Sequence, residues 1–183
     1  TTINLNFIPM KKSCYTLLLL YTVTFCFAQE KTTYTNERGE THLCGPFEIN
    51  ELEKNPLHSS WYTQYYDALK ITMKNYSWSK ELNDIEVDIY MGTWCWDSKI
   101  LVPRFVKTWD LLGLERGKLN FIALYDITDR YKKGPNGEEK GKKIYRIPTF
   151  IFKRGGKEIG RIVESPKNNL LTSFEKIALG LPL

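Results

Sequence analysis

The chemistry in this sequence gathers around one cysteine. In Trp94-Cys95-Trp96-Asp97-Ser98 a stretch that reads as a strand gives way to one that reads as a helix. The start of a helix has unpaired backbone N–H groups and the positive end of the helix dipole, both of which favour a thiolate over a thiol. Cys95 is therefore the candidate nucleophile, with Asp97 opposing the thiolate through its own charge. A C-x-x-C pair would carry its second thiol where this chain has Ser98. Cys95 can attack a disulfide, but no neighbouring thiol is there to release the adduct. Cys44, in Leu43-Cys44-Gly45-Pro46, keeps three readings: a small buried thiol, a structural bridge to Cys95, or a reversible resolving partner for it. Neither His42 nor His58 has a sequence partner that suggests a Cys-His catalytic pair.

The surrounding elements must place that thiol. Ile85, Val87, Ile89 and Met91 alternate with Glu86, Asp88 and Tyr90, which predicts a strand ending at Gly92-Thr93. Leu101, Val102, Phe105, Val106, Trp109 and Leu112 then recur at helical spacing, so a helix begins near Trp96, with Pro103 inside it as a kink. A second strand is expected over residues 119–125, followed by a polar connection through Gly134-Pro135-Asn136-Gly137. Residues 150–152 and 159–163 read as strands joined at Gly155-Gly156, and a last helix is expected from Ser165-Pro166. Upstream, residues 31–42 read as a flexible lead-in and residues 51–54 as one helical turn. Ser60 is expected to cap a helix that buries Trp61, Tyr65, Ala68, Leu69 and Thr72.

Residues 85–178 resemble the thioredoxin superfamily. The resemblance rests on the W-C-x-x-S at a strand-to-helix junction, Pro103 eight residues after Cys95, Ile147-Pro148-Thr149 opening the third strand, and the hairpin-plus-helix finish. Residues 92–99 and 161–166 look closest to small exported thioredoxin-like proteins of the Bacteroidetes type. The resemblance implies a thioredoxin-like α/β fold, a mixed central sheet flanked by helices, here with an N-terminal helical extension. It also implies a cis bond before Pro148, with Pro148 facing Cys95. Substrate contacts would come from Trp94, Trp96, Ile147, Pro148 and Thr149, with Trp96 either docking substrate or covering the thiol. Ser98 would hydrogen-bond the thiolate. The chain departs from the family at Ser98 and at Ile89, where a buried acid is usual; Asp88 is adjacent, but strand alternation turns it to the other face.

Composition narrows the rest. The chain has 183 residues, 42% hydrophobic and 26% charged, enough for one globular domain. The net charge of +5 is spread among acids, as in residues 132–143, and does not form a nucleic-acid footprint. Cys14, Cys26, Cys44 and Cys95 show no C-x2-C pairing and only His42 and His58 could assist them, so no metal is expected, and no organic cofactor either. Lys11-Lys12, the uncharged residues 14–27 and Ala28 have the shape of a secretory signal. The apolar stretch is short for a span of about 20 residues, and Phe25 before Cys26 argues against lipidation. Cleavage near Ala28 would leave only Cys44 and Cys95 in an oxidising compartment. The expected organisation is an upstream segment plus signal over 1–28, a lead-in and helical extension over 29–84, and the core over 85–183. The expected function is thiol-disulfide exchange of reductase or isomerase type, periplasmic or secreted. Its partners would be protein thiols or disulfides of the cell envelope and an unidentified thiol reductant, with no nucleic acid and no stable membrane insertion of the mature chain. The alternative is a non-catalytic binding or chaperone-like module of the same fold.

Overall fold

Strand β4, Ile85–Met91, lies at the centre of the molecule, and its residue pattern explains why. Ile85, Val87, Ile89 and Met91 point to one face and are fully buried, while Asp88 and Tyr90 are buried on the other. A strand covered on both faces needs a partner along each edge as well. In the computed structural model, which describes residues 32–72, 76–166 and 169–183, β4 pairs in parallel with β5 (Leu119–Ala123) and antiparallel with β6 (Thr149–Arg154). Two antiparallel edge strands complete the sheet: β3 (Gly45–Phe47) on β5 and β7 (Lys157–Val163) on β6, in the order β3-β5-β4-β6-β7. The fold class is thus mixed α/β, a five-stranded mixed sheet flanked by helices.

Helix α3, Trp96–Leu111, crosses between the two parallel strands and buries Leu101, Val102, Phe105, Val106 and Trp109 on the sheet, with Pro103 within it. Phe105 stacks on Phe150 with ring centroids 4.2 Å apart, and Phe174 of α4 (Leu170–Ala178) packs against Phe105, Trp109 and Phe152. Each such side chain contributes about 1.5–3 kcal/mol by leaving water. This aromatic layer holds α3 against β4 and so fixes the junction that carries Cys95. The opposite face of the sheet has a smaller core of Tyr90, Ile122, Leu124, Ile147 and Ile151. The β6–β7 turn places Gly155 at φ 55° and Gly156 at φ 77°, the two left-handed positions that a tight hairpin requires.

Several expectations are corrected. Residues 31–42 are not a flexible lead-in throughout: β1 (Thr33–Thr35) and β2 (Thr41–Leu43) form an antiparallel hairpin. β3 follows at once, with Pro46 tolerated because the strand is an edge. Helix α1 is Asn50–Glu53, and α2, Ser59–Ala68, buries Tyr62 with Trp61 and Tyr66 packed on the core. The buried stripe is therefore one residue off the expected one. Ala68 is exposed, and Leu69, in extended conformation, ends the helix. β5 stops at Ala123, because Leu124 and Tyr125 turn into a loop closed by Tyr125 and Lys133. α4 begins at Leu170 rather than near Ser165-Pro166, with the Asn169 side chain accepting from Thr172 N–H as the true cap. The proposed signal at residues 10–28 lies outside the described residues. Among the described residues, no helix is long and apolar enough to cross a membrane.

Candidate functional site

Cys95 is the N-cap residue of α3, in extended conformation, and its backbone is pinned on both sides. Its N–H donates to Gly92 O at 3.0 Å, and its carbonyl accepts from Lys99 N–H at 3.0 Å. The thiol is partly exposed and points across the sheet to the Ile147 carbonyl, with Sγ 3.6 Å from the oxygen. The Ile147–Pro148 bond is cis. Pro148 O accepts from Glu164 N–H at 2.8 Å, and the Thr149 hydroxyl donates to Arg146 O at 2.6 Å. The structure thus brings Cys95, just after β4, together with the 147–149 segment that leads into the neighbouring β6.

Ser98 is fully buried one turn into α3, and its Oγ accepts the Gly92 N–H at 3.3 Å. It therefore braces the end of β4 against the first turn of the helix. Trp94 is half-buried: its indole N–H donates to Leu124 O at 2.7 Å, and its ring meets Tyr131 at 5.5 Å. Trp96 is 65% exposed, touching Tyr65 edge-on at 6.2 Å. Of the expected substrate contacts, Trp96 offers the open surface, whereas the Ile147, Pro148 and Thr149 side chains are buried and present mainly backbone. Arg146, just before Ile147, is paired with Glu164 at 2.9 Å. Ile89 sits in the main core, and Asp88 faces away from it to Lys153 at 2.7 Å and Asn120 at 3.0 Å.

No disulfide joins Cys44 to Cys95; Cys44 is buried, and its thiol lies within hydrogen-bonding reach of the Tyr125 hydroxyl. Burial, and next that contact, push the Tyr125 phenol above its ordinary range.

Sequence reasoning missed Thr93 and its partners. Thr93 is buried immediately before Trp94, its Oγ1 accepting from Leu43 N–H at 3.1 Å and lying 3.3 Å from His42 Nδ1. Burial pushes the His42 imidazole below its usual range, and it does the same to His58. The other edge of His42 faces Glu40, whose carboxyl is held down at about 2 by the Asn36 amide and then Arg38. Glu40, His42 and Asp126 are the one described group of such side chains close enough to share a metal ion. No sequence spacing announces it, since Asp126 follows β5. Comparisons with family models, curated proteins and solved structures find nothing that matches this chain.

Proposed function

We propose that the domain is a thioredoxin-like fold and that Cys95 carries out thiol-disulfide exchange on protein substrates in the cell envelope, after removal of the signal near Ala28. The observation that carries this reading is the partly exposed Cys95 thiol, at a helix N-terminus and 3.6 Å from the Ile147 carbonyl. Exchange requires an accessible sulfur, and Cys95 stands partly exposed where the backbone N–H groups of α3 begin. The Cys95 sulfur attacks one sulfur of a substrate disulfide. A new Cys95–substrate S–S bond forms, the old one breaks, and the second substrate sulfur leaves as a thiolate that takes up the proton lost by Cys95. A thiol of the substrate then attacks the adduct and releases Cys95, giving isomerisation; for net reduction one external thiol attacks the Cys95 sulfur and releases the substrate thiol, and a second attacks the Cys95–external disulfide so formed, so that the two external thiols leave joined as a disulfide and Cys95 is regenerated.

The test is the lifetime of the mixed disulfide. Ser98→Cys supplies a neighbouring thiol and is expected to shorten it and to raise reduction of a model disulfide. Cys95→Ala is expected to abolish both adduct and turnover. One observation favours a second reading: Ser98 is engaged by Gly92, so α3 holds no thiol to complete a cycle. A binding module of the same fold accounts for that equally. Biological activity surviving Cys95→Ala selects the module and rejects exchange.

A further inference from the structure

The hairpin places Glu40 and His42 two residues apart at the start of β2, so both side chains project to the same face. Asp126, three residues beyond the end of β5, meets them there. One donor atom from each of the three lies within 4.8 Å of the other two. His42 is 8% exposed, and its Nε2 is buried without a hydrogen bond, at 3.5 Å from Glu40 Oε2. Its other ring nitrogen meets Thr93 Oγ1, which can accept a second proton beside that of Leu43 N–H. In the tautomer in which Nδ1 donates to that oxygen, the Nε2 lone pair faces the carboxylates.

Acceptors converging in this way call for a cation, and one is already present. Arg38 places its guanidinium 2.9 Å from both Glu40 Oε2 and Asp126 Oδ2, while its own side chain is 65% exposed. The Asn36 amide donates to the same two oxygens at 2.9 Å and remains as a support. We propose that Glu40, His42 and Asp126 form a binding site for a divalent transition-metal cation of the zinc class, which enters by displacing Arg38. One imidazole nitrogen with two carboxylate oxygens suits zinc and its neighbours rather than calcium or magnesium, which take oxygen. Zinc ligands stand about 2.0–2.2 Å from the ion and so about 3.3–3.5 Å from one another. The Glu40–His42 pair already stands at 3.5 Å, so the closure of up to about 1.5 Å that remains brings this pair and Asp126 together. The exchange is of one cation for another: Arg38 swings into water, and no bond is made or broken in the protein. The expected absence of metal rested on cysteine spacing, and this site uses no cysteine.

The test is titration of the metal-free full chain with Zn2+ by calorimetry, with Co2+ as a spectroscopic probe of the donors. One equivalent is expected to bind, with a Co2+ spectrum lacking thiolate charge transfer. Glu40→Gln is expected to weaken binding at least about tenfold. Arg38→Gln removes the competitor and is expected to tighten binding about two- to tenfold, the range spanned by releasing exposed ion pairs. Both positions are exposed, so neither variant depends on the buried core, and Asp126→Asn adds a third measurement. Overturning results are no saturable binding at metal concentrations comparable with the protein's, a thiolate signature in the Co2+ spectrum, or an affinity indifferent to both Glu40→Gln and Arg38→Gln.

Discussion

Gly92 is expected to tolerate no side chain, because of where the Cys95 loop sits. A Cβ at this position would fall 2.6 Å from Cε2 and Nε1 of the Trp94 indole and 3.1 Å from Ile147 Cδ1. The indole cannot simply slide away, since its N–H is tied to Leu124 O at 2.7 Å. Nor can the backbone, since Gly92 N–H and O are engaged by Ser98 and Cys95. Overpacking of this kind costs about 1–3 kcal/mol, and giving up the indole hydrogen bond adds about 0.5–1.5 kcal/mol. Gly92→Ala should therefore destabilise the domain by about 2–4 kcal/mol, lowering Tm by about 4–16 °C for a domain of this size. Urea unfolding followed by circular dichroism reads this as a lower midpoint with an unchanged slope. A double-mutant cycle isolates the cause: in a Trp94→Ala background the clash with the ring is gone, and Gly92→Ala should cost less by more than about 0.5 kcal/mol. An unchanged midpoint for Gly92→Ala, or the same cost in both backgrounds, would refute the steric argument.

Ser98→Ala leaves the buried Gly92 N–H without its acceptor and is expected to cost about 1 kcal/mol, the low end for such a loss because the bond is 3.3 Å long; an unaltered urea midpoint would show that Ser98 does not brace the junction. Lys153→Met strands the largely buried Asp88 carboxylate and is expected to cost up to about 3 kcal/mol, with Asn120 limiting the damage, while Lys153→Met with Asp88→Leu should recover most of it. His42 and His58 are both pushed below their ordinary range by burial, so the unfolded chain binds protons first as pH falls. Their contribution is complete above the unfolded pKa of about 6.5 and declines as pH drops through 6.5 towards the folded values. Urea midpoints that stay flat between pH 7 and 5.5 would contradict this.

What the sequence could show about this fold depended on the length and regularity of each element. β4 and α3 were legible because seven alternating residues and four helical turns leave little freedom of period, and Gly155-Gly156 announced its hairpin by type. β1, β2 and β3 were not, since three residues carry no period and Thr33–Thr35 is polar; their stability comes from pairing with one another and with β5. The α2 stripe was misplaced because Trp61, Tyr62, Tyr65 and Tyr66 offer aromatic rings on adjacent faces, and only packing chooses Tyr62. Ser165-Pro166 and Asn169 both carry cap chemistry, and among the described residues Asn169 is seen to reach the Thr172 N–H. At the site, Cys95 and Ile147-Pro148 stood out by residue type. Thr93 and the Glu40, His42 and Asp126 group did not, because they are assembled by the hairpin folding onto the end of β5.

The two thiols stand in different surroundings. β5 and β6 flank β4 on opposite sides, Cys44 keeps company with Tyr125 just after β5, and Cys95 faces Ile147 just before β6. The chain around Cys44 is fastened in place: Leu43 N–H is bonded to Thr93, and Gly45 is paired with Ala123. Trp94, the residue next to Cys95, is itself tied to Leu124 on the β5 side. For Cys44 to act on an adduct at Cys95 in the proposed exchange, it would have to do so from this fastened and buried position. A thiol arriving from the solvent faces no such barrier, because Cys95 is partly exposed beside the open Trp96 ring. If Cys95 carries out the proposed exchange, release by substrate or external thiol therefore needs no movement of the hairpin, and slower release in Cys44→Ala would instead make Cys44 the resolver.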